Sequence, residues 1–454
     1  MTIYDILGIG FGPANLALAI ALEERGYQGK VLFLEGRPKM AWQPEMMLPG
    51  SDIQNHPCRD LITPRNPRSR YTFINFLYEH ERLFEHLNLG VLFPLRREYA
   101  EYIQWVASFF SHLVRFEHSV LSVECEQIAS EHVYRVSTTR GTFYGRSLIL
   151  GTGRTPNIPS PFEDKLGPRV THLTHYLSTL AQLPRKDTGL RIAVVGSSQS
   201  AIEIVLHLIG QFPNADVYNI MRGHGYRLKD VSPFTGHAFF PEFVDYFYAS
   251  PRSAKRKIFD ELRYTNYSAA DGDVINRLYL SIYEQKLVGR ERVHLQRSQH
   301  VVACETQNEL VTLVLQNDNT NERTRLDRLD LVVLATGFRD LGTDGSQERY
   351  PAILEGIAGS LAFDAQDCLE ITRDYRVHSR DPESPLPPLY LNGLCESSHG
   401  YGDAGSFSLL ALRAAEIADS LEKSVAMPLT PLDHAAAGES WWRGEHGALT
   451  FESK

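Results

Sequence analysis

Apolar residues along the chain gather into short runs closed by glycine, and two of these runs lead into stretches with a helical period. "YDILGIGFGPANLALAIALEERG" predicts a buried strand over residues 3–7 and a turn through Gly8, Gly10 and Gly12. A helix follows, opened by Pro13 and carrying Leu16, Leu18, Ile20 and Leu22. "KVLFLEGR" is a second strand, and Glu35 closes it. In that order the glycines let backbone approach a pyrophosphate, the helix aims its first amides at it, and the acid meets ribose hydroxyls. The pattern recurs in "LRIAVVGSSQSAIEIVLHLIG", with a strand over 192–195 and a turn through Gly196, Ser198, Gln199 and Ser200. After the next strand, "ADVYNIMRG", Arg222 stands where an acid would be. A guanidinium there suits a 2′-phosphate and favours NADPH over NADH; a solvated strand-end charge is the alternative.

Two further apolar strands end in glycine turns, "SLILGTGRTPNIP" and "LDLVVLATGFRD", the latter with Thr336 and Gly337. Such segments resemble the crossovers between the FAD and NADPH domains of two-dinucleotide flavoproteins. The expected fold is therefore α/β, with two Rossmann-like domains and the NADPH domain inserted into a discontinuous FAD domain. The boundaries expected are 1–185 and 331–425 for FAD and 186–330 for NADPH. A helical substrate excursion is expected near 233–285, and 426–454 is left as a tail in which Trp441 and Trp442 read as packed residues.

Composition narrows the function classes. Hydrophobic residues make up 43% and charged residues 22%, ordinary for a globular protein, and the net charge of −9 argues against a nucleic-acid footprint. The 5 cysteines lie far apart without C-x-x-C, which predicts free thiols in a cytoplasmic protein, no zinc site and no redox disulfide. The apolar N-terminus lacks a basic start and carries Asp5, and no uncharged run is long enough to span a bilayer.

"GIGFGPANLALA", "VVGSSQSAIE", "RYTNYSAADGDVINRLY", "VVLATGF" and "HGYGDAGSFSLLALRAAEI", with the long segment beginning "RNPRSRYTF", resemble the flavin-dependent N-hydroxylating monooxygenases. That family includes the ornithine and lysine hydroxylases of siderophore synthesis. The resemblance implies that NADPH reduces FAD, that dioxygen adds as a flavin hydroperoxide, and that a neutral primary amine is hydroxylated. It places Trp42 and Gln54 beside the flavin, Asn266 on the retained NADP, and Ser200 and Arg222 on its phosphates. Without it, Asn266 reads as a turn residue and Trp42 as core. It also implies that a homotetramer is common in the family.

The stretch "SDIQNHPCRDLITPRNP" departs from the family pattern. Arg59 replaces a substrate-binding lysine, His56 is new, and in "SPFTGHAF" Gly236 and His237 replace an asparagine site. With Ser406 and Ser408 these residues are the candidate pocket wall. A planar guanidinium binds two carboxylate oxygens at once, so the changes point to a more anionic amino acid, aspartate hydroxylated on its α-nitrogen. The alternatives are L-ornithine N5-hydroxylation, a lysine or diamine substrate, and a non-catalytic FAD- and NADPH-binding redox sensor.

Overall fold

The structure is a computed structural model and describes residues 1–183 and 189–426. The 426–454 tail expectation, with Trp441 and Trp442, thus lies almost wholly outside the described residues.

Strand Ile3–Ile9 is the centre of a seven-stranded sheet. It pairs in parallel with Val31–Leu34 on one side and with Gly141–Leu150 on the other. Leu389–Leu391, near the other end of the chain, adds to Gly141–Leu150 in parallel, with Leu389 opposite Leu148. The FAD-type sheet is thus built from both ends of the chain. Its helix Pro13–Glu24 is apolar nearly all round, because it lies between the sheet and helix Leu410–Ala426. An antiparallel hairpin, Val120–Ile128 with Glu131–Thr138, extends the sheet by pairing with the first half of Gly141–Leu150.

The second sheet is wholly parallel, in the order Val293–Arg297, Asp216–Met221, Arg191–Val195, Leu331–Leu334, Val170–His172. The boundaries expected at 185/186 and 330/331 therefore cut through this sheet. Val170–His172 lies before the first boundary and Leu331–Leu334 after the second, yet both pair within it. Val170–His172 is only three residues long, too short for a periodicity to register. A three-stranded antiparallel sheet, Gln299–Gln307, Leu310–Asn317 and Arg323–Leu329, packs on the second sheet through Leu313, Leu315 and Leu329. The excursion near 233–285 is helical, with Pro241–Ala249, Arg252–Leu262 and Gly272–Leu287. No helix among the described residues is long and apolar enough to cross a membrane.

Candidate active site

The first glycine turn has the shape a pyrophosphate needs. Gly10 has φ +80°, and a Cβ there would lie 2.6 Å from the Gly151 carbonyl oxygen, so only glycine fits. A Cβ on Gly12, the residue capping helix Pro13–Glu24, would meet nothing within 4 Å, which leaves the helix N-terminus open. The Gly8 position packs under the Phe33 ring. Glu35 accepts from the amides of Phe11 and Arg37, each at 2.9 Å, which holds its carboxylate at the turn.

The second turn repeats the device. A Cβ on Gly196, at φ +138°, would lie 2.4 Å from the Ala335 carbonyl oxygen. Ser198 caps helix Gln199–Gln211 with no side-chain bond to it, and Ser200 is half-buried in its first turn. Arg222 is exposed just past strand Asp216–Met221. Gln199, expected at the cofactor, faces the protein interior. Its amide donates to Ala269, and its side chain accepts from the Asp271 amide and donates to Glu203, so both groups are engaged inside the protein. Thr336 and Gly337 lock the two crossovers together: the Thr336 hydroxyl donates to the Asn157 carbonyl at 2.5 Å, and the Asn157 amide donates to the Gly337 carbonyl at 2.9 Å.

One loop, 395–408, collects the remaining candidates. Phe407 meets Trp42 edge-on with ring centroids 5.4 Å apart, and Ser408 accepts from Arg59 at 3.2 Å while also accepting from Ser406 at 2.8 Å. A Cβ on Gly405 would lie 2.8 Å from Asn266 Nδ2 and 2.7 Å from the Tyr267 hydroxyl. Gly400 packs on Phe243 and Phe247 of the excursion. The loop thus brings Trp42, Arg59 and Asn266 to one place, although they are far apart in sequence. Arg59 is half-buried, and burial lowers its pKa; the Asn55 side chain and the Tyr99 hydroxyl both donate to its carbonyl. His56 and His237 are placed otherwise. Both are exposed, His56 with Nδ1 accepting from the Cys58 amide and His237 stacked on Phe240 at 4.4 Å. Around Gly236 there is open space.

Gln54 joins the two halves. It has a left-handed backbone at φ 51°, its amide donates to Asp52, and its side chain donates to Asp271 at 2.6 Å. Burial, with Asp271 and Glu203 nearby, pushes the Asp52 carboxyl up to about 6. Glu203 in turn holds a buried bidentate ion pair with Arg96, at 2.9 and 3.1 Å.

Sequence reading missed a second buried chain. Asn15 donates to the Gly10 carbonyl at 2.7 Å and accepts from Asn392 at 3.0 Å; Asn392 accepts from Arg413, which pairs with Asp403 of the loop at 2.9 Å. Beside Asn266, Tyr267 donates to Glu396 at 2.6 Å, and Arg154 bonds Tyr267 and Asp340 at 2.9 and 3.0 Å. Burial pushes Glu396 up to about 8, with Arg154 opposing and Asp340 adding to the shift.

The residues present fit FAD at the first turn and NADP(H) at the second. The Gly12 approach is open, and Asn266 Nδ2 is buried without a partner, as a group waiting for a ligand acceptor would be. Two glycine-turn domains meeting at a loop rich in polar and aromatic side chains define a two-dinucleotide flavoprotein oxidoreductase. Residues 2–340 match the family model described as L-lysine 6-monooxygenase/L-ornithine 5-monooxygenase, and the chain belongs to that family of flavin-dependent N-hydroxylating monooxygenases. It is 36% identical over 411 residues to an L-ornithine N(5)-monooxygenase of Burkholderia cepacia, covering 88% of this chain and 90% of that one. It is 33% identical over 439 residues to the enzyme of the same name from Pseudomonas aeruginosa, covering 92% and 94%. The fold superimposes on the ornithine N-hydroxylase of Kutzneria sp. 744, solved with reduced FAD, NADP+ and L-ornithine, with a TM-score of 0.85 at 32% identity, covering 94% and 100%. The L-lysine 6-monooxygenase of Pseudomonas syringae gives 0.80 at 35% identity, covering 93% and 100%. The cofactors are FAD and NADP(H), and the chemistry is N-hydroxylation of the siderophore type.

Proposed function

We propose that the enzyme hydroxylates the side-chain amine of L-ornithine. The observation that carries this reading is the Arg59–Ser408 pair, at 3.2 Å, on the same loop that meets Trp42 and Asn266. One guanidinium backed by two serine hydroxyls suits one carboxylate. Aspartate was expected from Arg59, Gly236 and two added histidines, but His56 and His237 are exposed and offer no second buried anion site. The named relatives favour ornithine as well.

When bound, FAD reduced by NADPH supplies the activated oxygen that is transferred to the amine nitrogen. The chain's own groups do the rest. Arg59 with Ser406 and Ser408 anchors the amino acid's carboxylate, so that the side chain extends toward Asn266 with its nitrogen positioned. Asn266, with an unpartnered buried amide, holds the nicotinamide side. Trp42, Phe407 and Tyr99 form an aromatic wall that keeps water away from the reacting centre. Gln54, fixed by Asp52 and Asp271, keeps its place at the flavin.

The test is a panel of ornithine, lysine, aspartate, putrescine and cadaverine, scored for hydroxylamine formed per NADPH oxidised. Ornithine should couple best, and Arg59→Ala should raise its KM at least tenfold with FAD retained. Aspartate coupling better than ornithine would overturn the reading, and NADPH oxidation with no hydroxylated product from any amine would favour the redox-sensor alternative.

A further inference from the structure

An ammonium ion has no lone pair, so a protonated substrate amine must lose a proton before its nitrogen can attack, and in a site closed to water some protein group must take it. The acids around the 395–408 loop are mostly committed. Asp403 accepts from Arg413 and from the Cys395 amide, Asp271 accepts from Gln54, and Asp340 is paired with Arg154. His399 has Nδ1 on Ser398, Nε2 on the Arg373 carbonyl and its ring stacked on Tyr375. Glu396 differs: it is fully buried, and its Oε1 is the one carboxylate oxygen among the described residues that is buried with no hydrogen-bond partner.

We propose that Glu396 is the group that stores this proton, and that the Tyr267 hydroxyl passes it on. The inference rests on the amine-hydroxylase reading above. The Tyr267 hydroxyl already donates to Glu396 Oε2 at 2.6 Å, and both it and Asn266 Nδ2 lie within 2.8 Å of the same point above Gly405. In the step, an N–H bond of the ammonium breaks and leaves its electron pair on nitrogen. That proton forms a new O–H bond on Tyr267 while the proton Tyr267 held moves to Glu396; nothing is oxidised or reduced. Charge favours the transfer. Arg154 faces two carboxylates, Asp340 at 3.0 Å and Glu396 at 3.7 Å, so a proton taken by Glu396 brings a buried negative cluster to neutrality. The other charged or titratable groups that bear on Glu396 are Asp403, from the loop itself, and the Tyr401 hydroxyl. Burial has already pushed the Glu396 carboxyl up to about 8, which makes it a stronger base than an ordinary carboxylate and leaves it ionised, ready to accept, above pH 8.

The test compares the holoenzyme with its Glu396→Gln variant, an amide of the same shape that still accepts from Tyr267 but cannot store a proton. Flavin reduction by NADPH should be unchanged, while hydroxylated product per NADPH at pH 9, where Glu396 is ionised and the free amine still mostly protonated, should fall at least tenfold. The loss should shrink as pH rises past about 10.4, where the free amine becomes mostly neutral unaided. In the oxidised holoenzyme at pH 9, without turnover, infrared difference spectra on adding the amine should show a new protonated carboxyl band in the wild type and none in E396Q. Full coupling by E396Q at pH 9, or a loss of equal size at every pH, overturns the inference and leaves the hydroxylase reading standing. A wild type that hydroxylates no amine overturns that reading, and the inference with it. Should E396Q not hold flavin, Tyr267→Phe carries the test, since it keeps the ring and removes the relay hydroxyl; it must show the same pH-recoverable loss.

Discussion

Gln54 Nε2 donates to Asp271 Oδ2 at 2.6 Å, so the residue expected beside the flavin is held by the residue that starts helix Gly272–Leu287. The bond continues through Gln199 to the Glu203–Arg96 pair, which ties Arg96 to helix Gln199–Gln211 beside the second sheet. Removing the anchor should therefore disturb chemistry more than cofactor binding. Asp271→Ala should lower the yield of hydroxylamine per NADPH about tenfold while FAD content stays at wild-type level. Gln54→Ala should add little to it, because both variants break the same bond. A double variant whose losses simply multiply would show that Gln54 and Asp271 act separately.

Further along the same relay, the Arg96–Glu203 pair is buried on both sides. Arg96 also donates to the Met46 and Asp52 carbonyls at 2.7 and 3.0 Å. Glu203→Ala leaves a buried guanidinium without its counter-charge, which costs about 3–5 kcal/mol. Urea unfolding of the holoenzyme should show a loss of that size. A change under about 1 kcal/mol would mean that water replaces the carboxylate readily.

At the far end of the second sheet, Arg222 follows strand Asp216–Met221, and Arg297 stands opposite Met221 on the neighbouring strand. Two guanidiniums at adjacent strand ends suit a 2′-phosphate. Arg222→Ala should raise the KM for NADPH roughly tenfold to a hundredfold, the equivalent of about 1.5–3 kcal/mol for a charged hydrogen bond, and leave NADH use nearly unchanged. Equal losses with both nucleotides in steady-state assays would remove Arg222 from the phosphate site.

Burial pushes both His172 and His399 down to about 4. Their folded pKa lies below the unfolded value of about 6.5, so the stability they contribute is complete above pH 6.5 and is lost as pH falls toward 4. His172 bonds the Gly337 carbonyl at 3.0 Å. Melting temperature should therefore drop steeply between pH 6.5 and 4.5, and His172→Gln should flatten part of that slope. Identical slopes in wild type and variant would refute the assignment.

The two dinucleotide turns were legible because each is a local pattern of apolar period and glycine, whereas the sheet closed from both chain ends was expected from the resemblance to two-dinucleotide flavoproteins. Gly10 and Gly196 need both their positive φ and the absence of a Cβ, and a sequence carries that demand openly. The buried relays were not legible, because they join residues hundreds of positions apart. Asn15 reads as an unremarked helix position until Asn392 is placed against it. Arg96 and Glu203 look like ordinary surface charges on amphipathic helices until the domains close over them. His56 and His237 differ in the opposite sense, both being exposed. Their residue type promised donors to a substrate, but nothing local told that one ring turns back onto its own loop and the other stacks on Phe240.

Gly236 offers a sharper test of the pocket than any of the retained residues. The resemblance places an asparagine of the ornithine hydroxylases at this position, whereas here a Cβ would meet no atom within 4 Å and the backbone φ is not left-handed. A side chain therefore fits without strain, and Gly236→Asn should melt within a degree or two of the wild type. If the open space lies along the amino-acid pocket, the added amide supplies one further hydrogen bond to the α-groups of ornithine. A net hydrogen bond is worth about 0.5–1.5 kcal/mol, so KM for ornithine should fall roughly twofold to tenfold with kcat nearly constant. Constancy of kcat follows because the α-groups lie remote from the reacting nitrogen and bind alike in ground and transition states. Putrescine, which lacks α-groups, should gain nothing, and this difference separates a new contact from a general change in pocket shape. An unchanged KM for ornithine, or an equal gain for putrescine, would place Gly236 outside the wall that holds the amino acid.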